Sequence, residues 1–217
     1  MQDDASQVFY WDRVALQKRF SHPLNLDWLG KHLKNPLARI LDYGCGYGRT
    51  LAELPSAGYE NIVGADFSHA MLTRARVEVP DSRLVQNDGS SLPFKSESVD
   101  LVLLFAVLTC IPESSNQLAL LKETERVLRP GGIVYISDLL INDDQRNRER
   151  YEHFAEKHGC YGVFALPEGV VVRHHAEGWI EQLTARFQKL EFERFTVTTM
   201  NGNSSAAFQY LGRKPLV

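Results

Sequence analysis

Cysteine is scarce in this chain of 217 residues. Only Cys45, Cys110 and Cys160 are present, and no two of them form a CxxC pair. That excludes a disulfide framework, and neither these cysteines nor the histidines around them match a zinc spacing, so no metal is expected. Such sparse usage reads as a reduced, cytoplasmic protein. Long apolar runs are missing as well. The longest, residues 101–110 with Ile111 behind it, falls well short of the ~20 residues a membrane span needs. The opening Met1-Gln2-Asp3-Asp4 is acidic where a signal peptide is basic and then apolar, so neither a leader nor a membrane partner is expected. There is no basic excess either: 24 Lys and Arg stand against 27 Asp and Glu, a formal charge of −3. A dedicated nucleic-acid binder normally shows a basic footprint, so no nucleic-acid partner is expected. Repeats and low-complexity tracts are absent. What remains is ordinary for a folded soluble chain, with 44% hydrophobic and 24% charged residues.

The order of elements carries the fold. Residues 7–20 show a helical stripe (Val8, Trp11, Val14, Ala15, Leu16), which His22-Pro23 ends, and residues 26–32 read as a second helix. From residue 38 strands and helices alternate. Strands are expected at 38–43, 61–66, 82–86, 99–105 and 133–137, and helices at 49–57, 68–77 and 116–128. Ser68 is placed to cap its helix, and Arg129-Pro130-Gly131-Gly132 is placed to stop the third. Alternation of this kind implies a parallel sheet with right-handed crossovers. The tail differs: a helix at 176–187 and strands at 191–200 and 206–213 around Asn201-Gly202-Asn203-Ser204, which suits a hairpin. The expected fold is α/β: a Rossmann-like, seven-stranded, mostly parallel sheet with an antiparallel C-terminal pair and helices on both faces. A lid is inserted after the fifth strand, with a helix at 143–158 and a hairpin from 162–166 and 169–174. In one domain, 1–34 would be a helical cap, 38–141 the cofactor-binding core, 142–176 the lid, and 177–217 the closing helix and strands.

Ligands of open α/β sheets sit beyond the carboxyl ends of the strands. The first strand-to-helix turn is Asp42-Tyr43-Gly44-Cys45-Gly46-Tyr47-Gly48. Its glycines allow a tight bend and close approach of a ligand, although a purely structural turn reads the same way. Asp66 stands 22 residues beyond Gly44. It is either an acceptor for both hydroxyls of a ribose or an acid favoured by a helix N-terminus. A dinucleotide fold would want Gly-x-Gly-x-x-Gly. This chain has Gly-x-Gly-x-Gly with Asp42 before it, and an acid there repels phosphate and attracts a cation.

Five segments in order, Asp42-Tyr43-Gly44-Cys45-Gly46-Tyr47-Gly48, Gly64-Ala65-Asp66-Phe67-Ser68, Asn87-Asp88-Gly89, Leu92-Pro93-Phe94 with Ser98-Val99-Asp100, and Leu128-Arg129-Pro130-Gly131-Gly132, resemble the class I S-adenosylmethionine-dependent methyltransferases. The resemblance implies S-adenosylmethionine as cofactor and S-adenosylhomocysteine as its product. It puts Gly44, Cys45 and Gly46 under the methionine part and Asp42 facing its amino group. Asp66 would hold the ribose hydroxyls and Phe67 would pack on the adenine. Asp88 would meet the adenine amino group, with Asn87 and Gly89 beside it. Phe105 and Ala106 would line the sulfonium, and Tyr10-Trp11 would fold over the cofactor. Met71 is either adenine edge or core, and Trp11 either lid or core.

The acceptor side is read from the lid and the strand ends. His174 and His175 are candidate general bases, with Asp138 orienting a histidine or a substrate hydroxyl. Arg173 is expected to pair with an acidic substrate group, and Arg148 and Tyr151, at i and i+3, to support it. Tyr161 and Phe164 would form an aromatic wall, while Arg146 and Arg150 read as solvated helix and Cys110 as a small buried thiol. The expected partner is a small-molecule acceptor and the expected assembly a monomer or homodimer. An RNA or protein methyltransferase, a non-catalytic binding module and, less favoured by the glycine spacing, a nicotinamide oxidoreductase are the alternatives.

Overall fold

A computed structural model describes residues 4–216 except 88, 90, 91 and 93. Asp88, one of the expected cofactor contacts, therefore lies outside the described residues. The chain runs α1 (Asp4–Val14), α2 (Leu26–His32), β1 (Ile40–Tyr43), α3 (Arg49–Glu53), β2 (Ile62–Asp66), α4 (His69–Glu78), β3 (Arg83–Gln86) and β4 (Val99–Phe105). It continues through α5 (Ser114–Val127), β5 (Leu128–Leu139), α6 (Gln145–His158), β6 (Val163–Ala165), β7 (Val171–Arg173), α7 (Glu177–Thr184), β8 (Gln188–Thr198) and β9 (Ser204–Arg213).

Seven strands form one sheet in the order β3-β2-β1-β4-β5-β9-β8, with a separate two-stranded sheet from β6 and β7. The first five pair in parallel, and β9 runs antiparallel to both β5 and β8. The apolar run in β4 has the pattern that a sheet covered on both faces demands. Leu101 and Leu103 pack with Ile40, Leu29 and Leu72 on one face. Val102 and Leu104 pack with Leu41, Leu121 and Leu183 on the other. All four β4 residues are fully buried, and each such side chain contributes ~1.5–3 kcal/mol through removal from water. Among the described residues no helix is long and apolar enough to cross a membrane.

Most element boundaries shift from the sequence expectation, and two of the shifts bear on the site. The first helix stops at Val14 rather than Phe20. Arg74 of α4 donates to the carbonyls of Ala15 and Lys18 at 2.6 and 2.9 Å, giving partners to carbonyls that a helix end leaves open. The chain then turns so that Phe20 stacks on Tyr47, centroids 5.6 Å apart. The segment Arg129-Pro130-Gly131-Gly132 does not form a loop after α5. The helix ends at Val127, and these residues are the first part of β5, where the register against β4 shifts.

The insertion after β5 lies over the carboxyl edge of the sheet. Asp144 caps α6 by accepting the Asn147 N–H at 3.1 Å, and Gly159, with φ +62°, ends it. Tyr151 and Phe164 of the insertion pack into one cluster with Tyr10, Trp11 and Val14 of α1. Gln7 donates to the Val171 carbonyl at 2.8 Å. The N-terminal helix and the insertion thus make one roof.

Candidate active site

The strand order reverses between β1 and β4, and a cleft opens at their carboxyl ends. The turn after β1 forms its floor. Gly44 and Cys45 donate to the Ala65 carbonyl at 2.7 and 3.1 Å, which ties the turn to β2. Gly44 has φ +74°, and a Cβ there would come within 2.6 Å of Val107. Only glycine serves at that position. Asp66 holds the next part of the turn: one carboxylate oxygen accepts the Gly46 N–H and the other the Ser68 N–H, each at 2.8 Å.

Two carboxylates face this cleft with little compensation. Asp42 is 1% exposed and accepts a hydrogen bond from the Thr50 hydroxyl. Burial raises it to about 6, against the pull of Thr50 and Arg49. Burial raises Asp66 to about 6 as well, although three backbone N–H groups pull it down. Asn87 lines the same cleft, and both atoms of its side-chain amide are buried with no partner. A site of this make-up calls for a ligand that brings a cation or hydroxyl donors to the acids, and one donor and one acceptor to the amide.

A second chamber adjoins the first. It lies under α6, the β6–β7 hairpin and the turn after β8. The cleft and the chamber share Trp11, Phe20, His22, Ala106 and Cys110. Ala106, just past β4, holds a left-handed φ of +56°, a conformation that costs an alanine ~1–2 kcal/mol. His22 is 6% exposed, with Nδ1 3.0 Å from the Ser137 hydroxyl. Burial and the charge of Arg49 lower its pKa to about 4, so the imidazole is neutral.

Residues 41–136 match a family described as Methyltransferase domain. A SAM-dependent methyltransferase from Methanosarcina mazei superposes with a TM-score of 0.81 at 26% identity, covering 88% of this chain and 98% of the other. In its fold and across that segment the chain is like the class I S-adenosylmethionine-dependent methyltransferases. The biotin biosynthesis bifunctional protein BioHC of Cellvibrio japonicus (strain Ueda107) is 35% identical over 130 residues, 59% of this chain and 25% of that protein. The ubiquinone biosynthesis O-methyltransferase of Stutzerimonas stutzeri (strain A1501) is 26% identical over 165 residues, 74% of this chain and 68% of that one. The chain thus spans a quarter of the first relative's length and about two thirds of the second's.

The cofactor of this methyltransferase family fits the cleft. S-adenosylmethionine carries an ammonium group and two ribose hydroxyls for two under-compensated acids, and an adenine edge with a donor and acceptors for the open amide of Asn87. Of the expected contacts, Trp11, Asp42, Gly44, Cys45, Gly46, Asp66, Phe67, Met71, Asn87, Gly89, Phe105 and Ala106 all line the cleft. Tyr10 does not. It is 3% exposed beneath the roof, edge-on to Trp11 at 5.0 Å. Adjacent residues of a helix point about 100° apart, so Trp11 and Tyr10 cannot share a face. The sequence reading missed Arg49 and Thr50, at the start of α3, and His22, taken there only as a helix stop. The first two had a signal: they are the first residues after the glycine turn.

A pH dependence follows from the two acids. Their pKa values are about 6 in the folded protein, and each must be ionised to meet an ammonium or accept hydroxyl donors in full strength. S-adenosylhomocysteine affinity is expected to fall about a hundredfold for each pH unit well below 6, about tenfold for each acid, and to level off above about 7. Calorimetry across this range checks it, and a flat profile would reject the requirement for ionised acids.

The acceptor-side expectations fare differently. His174 lines the second chamber, with Nδ1 2.6 Å from the Tyr151 hydroxyl. His175 lines neither cavity. It is fully buried, with Nδ1 3.0 Å from the Leu139 carbonyl and Nε2 3.0 Å from the Gln117 amide nitrogen. Both ring nitrogens are spent on pinning the end of the insertion to β5 and α5, so His175 has no reach to an acceptor. Asp138 is fully buried too. It accepts the Thr109 N–H at 3.1 Å and the Leu139 N–H at 2.7 Å, holding the 3-10 turn Leu108–Cys110 beside the junction. Burial raises it to about 7. Its Oδ1 lies 3.8 Å from Nδ1 of His175, so the histidine it stands beside is the buried one, and it lines neither cavity.

Arg173 is 4% exposed and donates to the Pro112 carbonyl and the Ser114 hydroxyl at 3.1 and 3.0 Å, away from both cavities. Tyr151 is fully buried behind His174, and Tyr161 lies outside at 44% exposure, packed edge-on against Tyr151. Arg148 is exposed. The arginines on the chamber are Arg146 and Arg150, the two read as solvated. Four residues apart, they share one helix face, and Arg148 falls on the opposite one.

Proposed function

We propose that this protein transfers a methyl group from S-adenosylmethionine to a small-molecule acceptor held in the second chamber. The observation that carries this reading is the common wall of the two cavities, Trp11, Phe20, His22, Ala106 and Cys110. A donor on one side and an acceptor on the other would meet at that wall. The cofactor supplies a methyl carbon on a sulfonium: a lone pair of the acceptor bonds to that carbon while the carbon–sulfur electron pair stays on sulfur. The acceptor's proton, where it has one, leaves to a base or to water.

The chain's own part is alignment and exclusion of water. The roof of α1, α6 and the hairpin covers the chamber, and its walls combine apolar side chains with a few polar groups, as small-molecule sites do. A covered chamber of this kind favours a small acceptor over a folded RNA or a protein domain. Ubiquinone biosynthesis, named for one relative, also proceeds on small molecules. Labelled methyl transfer into separated small metabolites, RNA and protein tests the reading. Label confined to RNA or protein would overturn it.

His22 stands at the junction and is neutral, so its ring can hydrogen-bond an acceptor X–H as the methyl is delivered. His22→Ala is expected to slow single-turnover transfer ~100-fold and to change S-adenosylhomocysteine affinity only slightly. An unchanged transfer rate would remove His22 from the reaction.

A further inference from the structure

The second chamber carries charge of one sign. Arg146 and Arg150 line it, and among the described residues its walls include no aspartate or glutamate. Arg150 is the more telling of the two. Its guanidinium carbon lies 3.6 Å from the centre of the Phe164 ring, and its Nε is buried with no hydrogen-bond partner. Among the described residues no carboxylate is within ion-pair distance of it; Tyr151 hydrogen-bonds its side chain and Asp144 acts on it from farther off, which leaves the Nε open. Burial lowers its pKa, yet a guanidinium stays protonated in proteins. Arg146 meets Asp144 at 3.8 Å, an exposed contact at the solvent side of α6. A half-buried cation with an open donor is costly until an anion meets it.

The other walls define the rest of the ligand. Leu139, Phe164, Leu166, Val172 and Met200 are apolar. The charges of the two cavities are opposite: Asp42 and Asp66 stand on the donor side, the arginine pair on the acceptor side. Neither arginine belongs to the common wall. An anion held by them therefore sits away from the point where the methyl arrives.

We propose that Arg150, with Arg146 beside it, is a carboxylate-recognition subsite. The acceptor is then a small apolar acid whose carboxylate is bound by α6 while a different atom of the molecule receives the methyl. This rests on the reading of the second chamber as the acceptor site. The planar fork of arginine matches a carboxylate in two parallel hydrogen bonds, which a neutral amide cannot reproduce.

The test uses two matched probe pairs, 3-phenylpropionate with 3-phenylpropionamide and decanoate with decanamide, titrated into protein saturated with S-adenosylhomocysteine. At least one acid is expected to bind ~10-fold or more tightly than its amide. Arg150→Gln should erase the preference, Arg150→Lys should keep part of it, and Arg148→Gln, on the exposed face, should keep all of it. Equal binding of acid and amide, a preference that survives Arg150→Gln, or no binding of any probe overturns the subsite. The wild-type comparison needs no variant, so a folding defect in Arg150→Gln does not rescue the proposal. Two other readouts report on the underlying reading alone. S-adenosylhomocysteine affinity, measured in each protein, reports on the donor cleft, and methyl label found only in macromolecules would sink the acceptor reading while leaving the acid preference standing.

Discussion

Asp66→Ala is expected to weaken S-adenosylhomocysteine binding about 100-fold and to lower the melting temperature of the free protein as well. The carboxylate does two jobs. Its oxygens accept the N–H groups of Gly46 and Ser68, each at 2.8 Å, and those bonds set the turn after β1 and the start of α4. Alanine leaves both donors buried and open, at ~1–3 kcal/mol each. It also removes the acceptor for ribose hydroxyls. Asp66→Asn separates the two effects, because its one carbonyl oxygen still accepts one of the N–H groups. It should recover part of the stability and little of the affinity. Calorimetry and thermal unfolding on the two variants check this. Unchanged affinity in Asp66→Ala would remove the ribose assignment.

Asp42→Asn is expected to move stability and binding in opposite directions. The folded pKa of Asp42 is about 6 against an ordinary 3.8. A carboxylate whose folded pKa is raised favours folding while it is protonated, at low pH, and loses that benefit as pH rises through the folded value. At about pH 8 the ionised group costs ~3 kcal/mol, from ~1.4 kcal/mol per unit. Asparagine has no charge to bury, and its carbonyl oxygen still accepts from Thr50. The free variant should therefore be more stable than the wild type at pH 8 by up to about 3 kcal/mol, with a smaller gain at about pH 5. It also loses the charge that would meet an ammonium group, so S-adenosylhomocysteine should bind ~10–100-fold more weakly. Denaturant melts at the two pH values and calorimetry check the pair. A less stable variant, or one that binds as tightly as the wild type, contradicts the assignment of Asp42.

The donor cleft was legible because its parts are local. Val99–Phe105 and Leu26–His32 have the bounds that their apolar patterns predict. Ser68 caps α4 by accepting the Met71 N–H at 3.1 Å, as a serine before a helical stripe is expected to do. Asp42, Gly44, Gly46 and Asp66 stand at the ends of β1 and β2 or directly after them. Parallel alternation brings those ends to one edge, so short-range signals were sufficient to gather these residues around one cleft.

The acceptor side required the tertiary fold. His175 was singled out because it follows a charged, strand-like stretch, but the sequence contains no sign that Leu139 and Gln117 would occupy both its nitrogens. Arg148 and Tyr151 were paired by helical spacing, which is true of the helix and silent about which face turns inward. That choice was made by Tyr151 and Asn147, whose burial against the rest of the fold leaves Arg146 and Arg150 toward the chamber. His22 reached the junction only because Arg74 ends the first helix early and redirects the chain.

The sequence by itself determined the alternation of strands and helices, the glycine turn after the first strand and the two acids that face the cleft, since hydrophobic period and turn chemistry act between residues close along the chain. The tertiary structure alone decided which histidines line the cavities and which arginines face the second one. Those outcomes depend on how one long insertion and one N-terminal helix pack over the sheet, and the packing is set by contacts between residues more than a hundred positions apart, such as Gln7 with Val171 and His22 with Ser137.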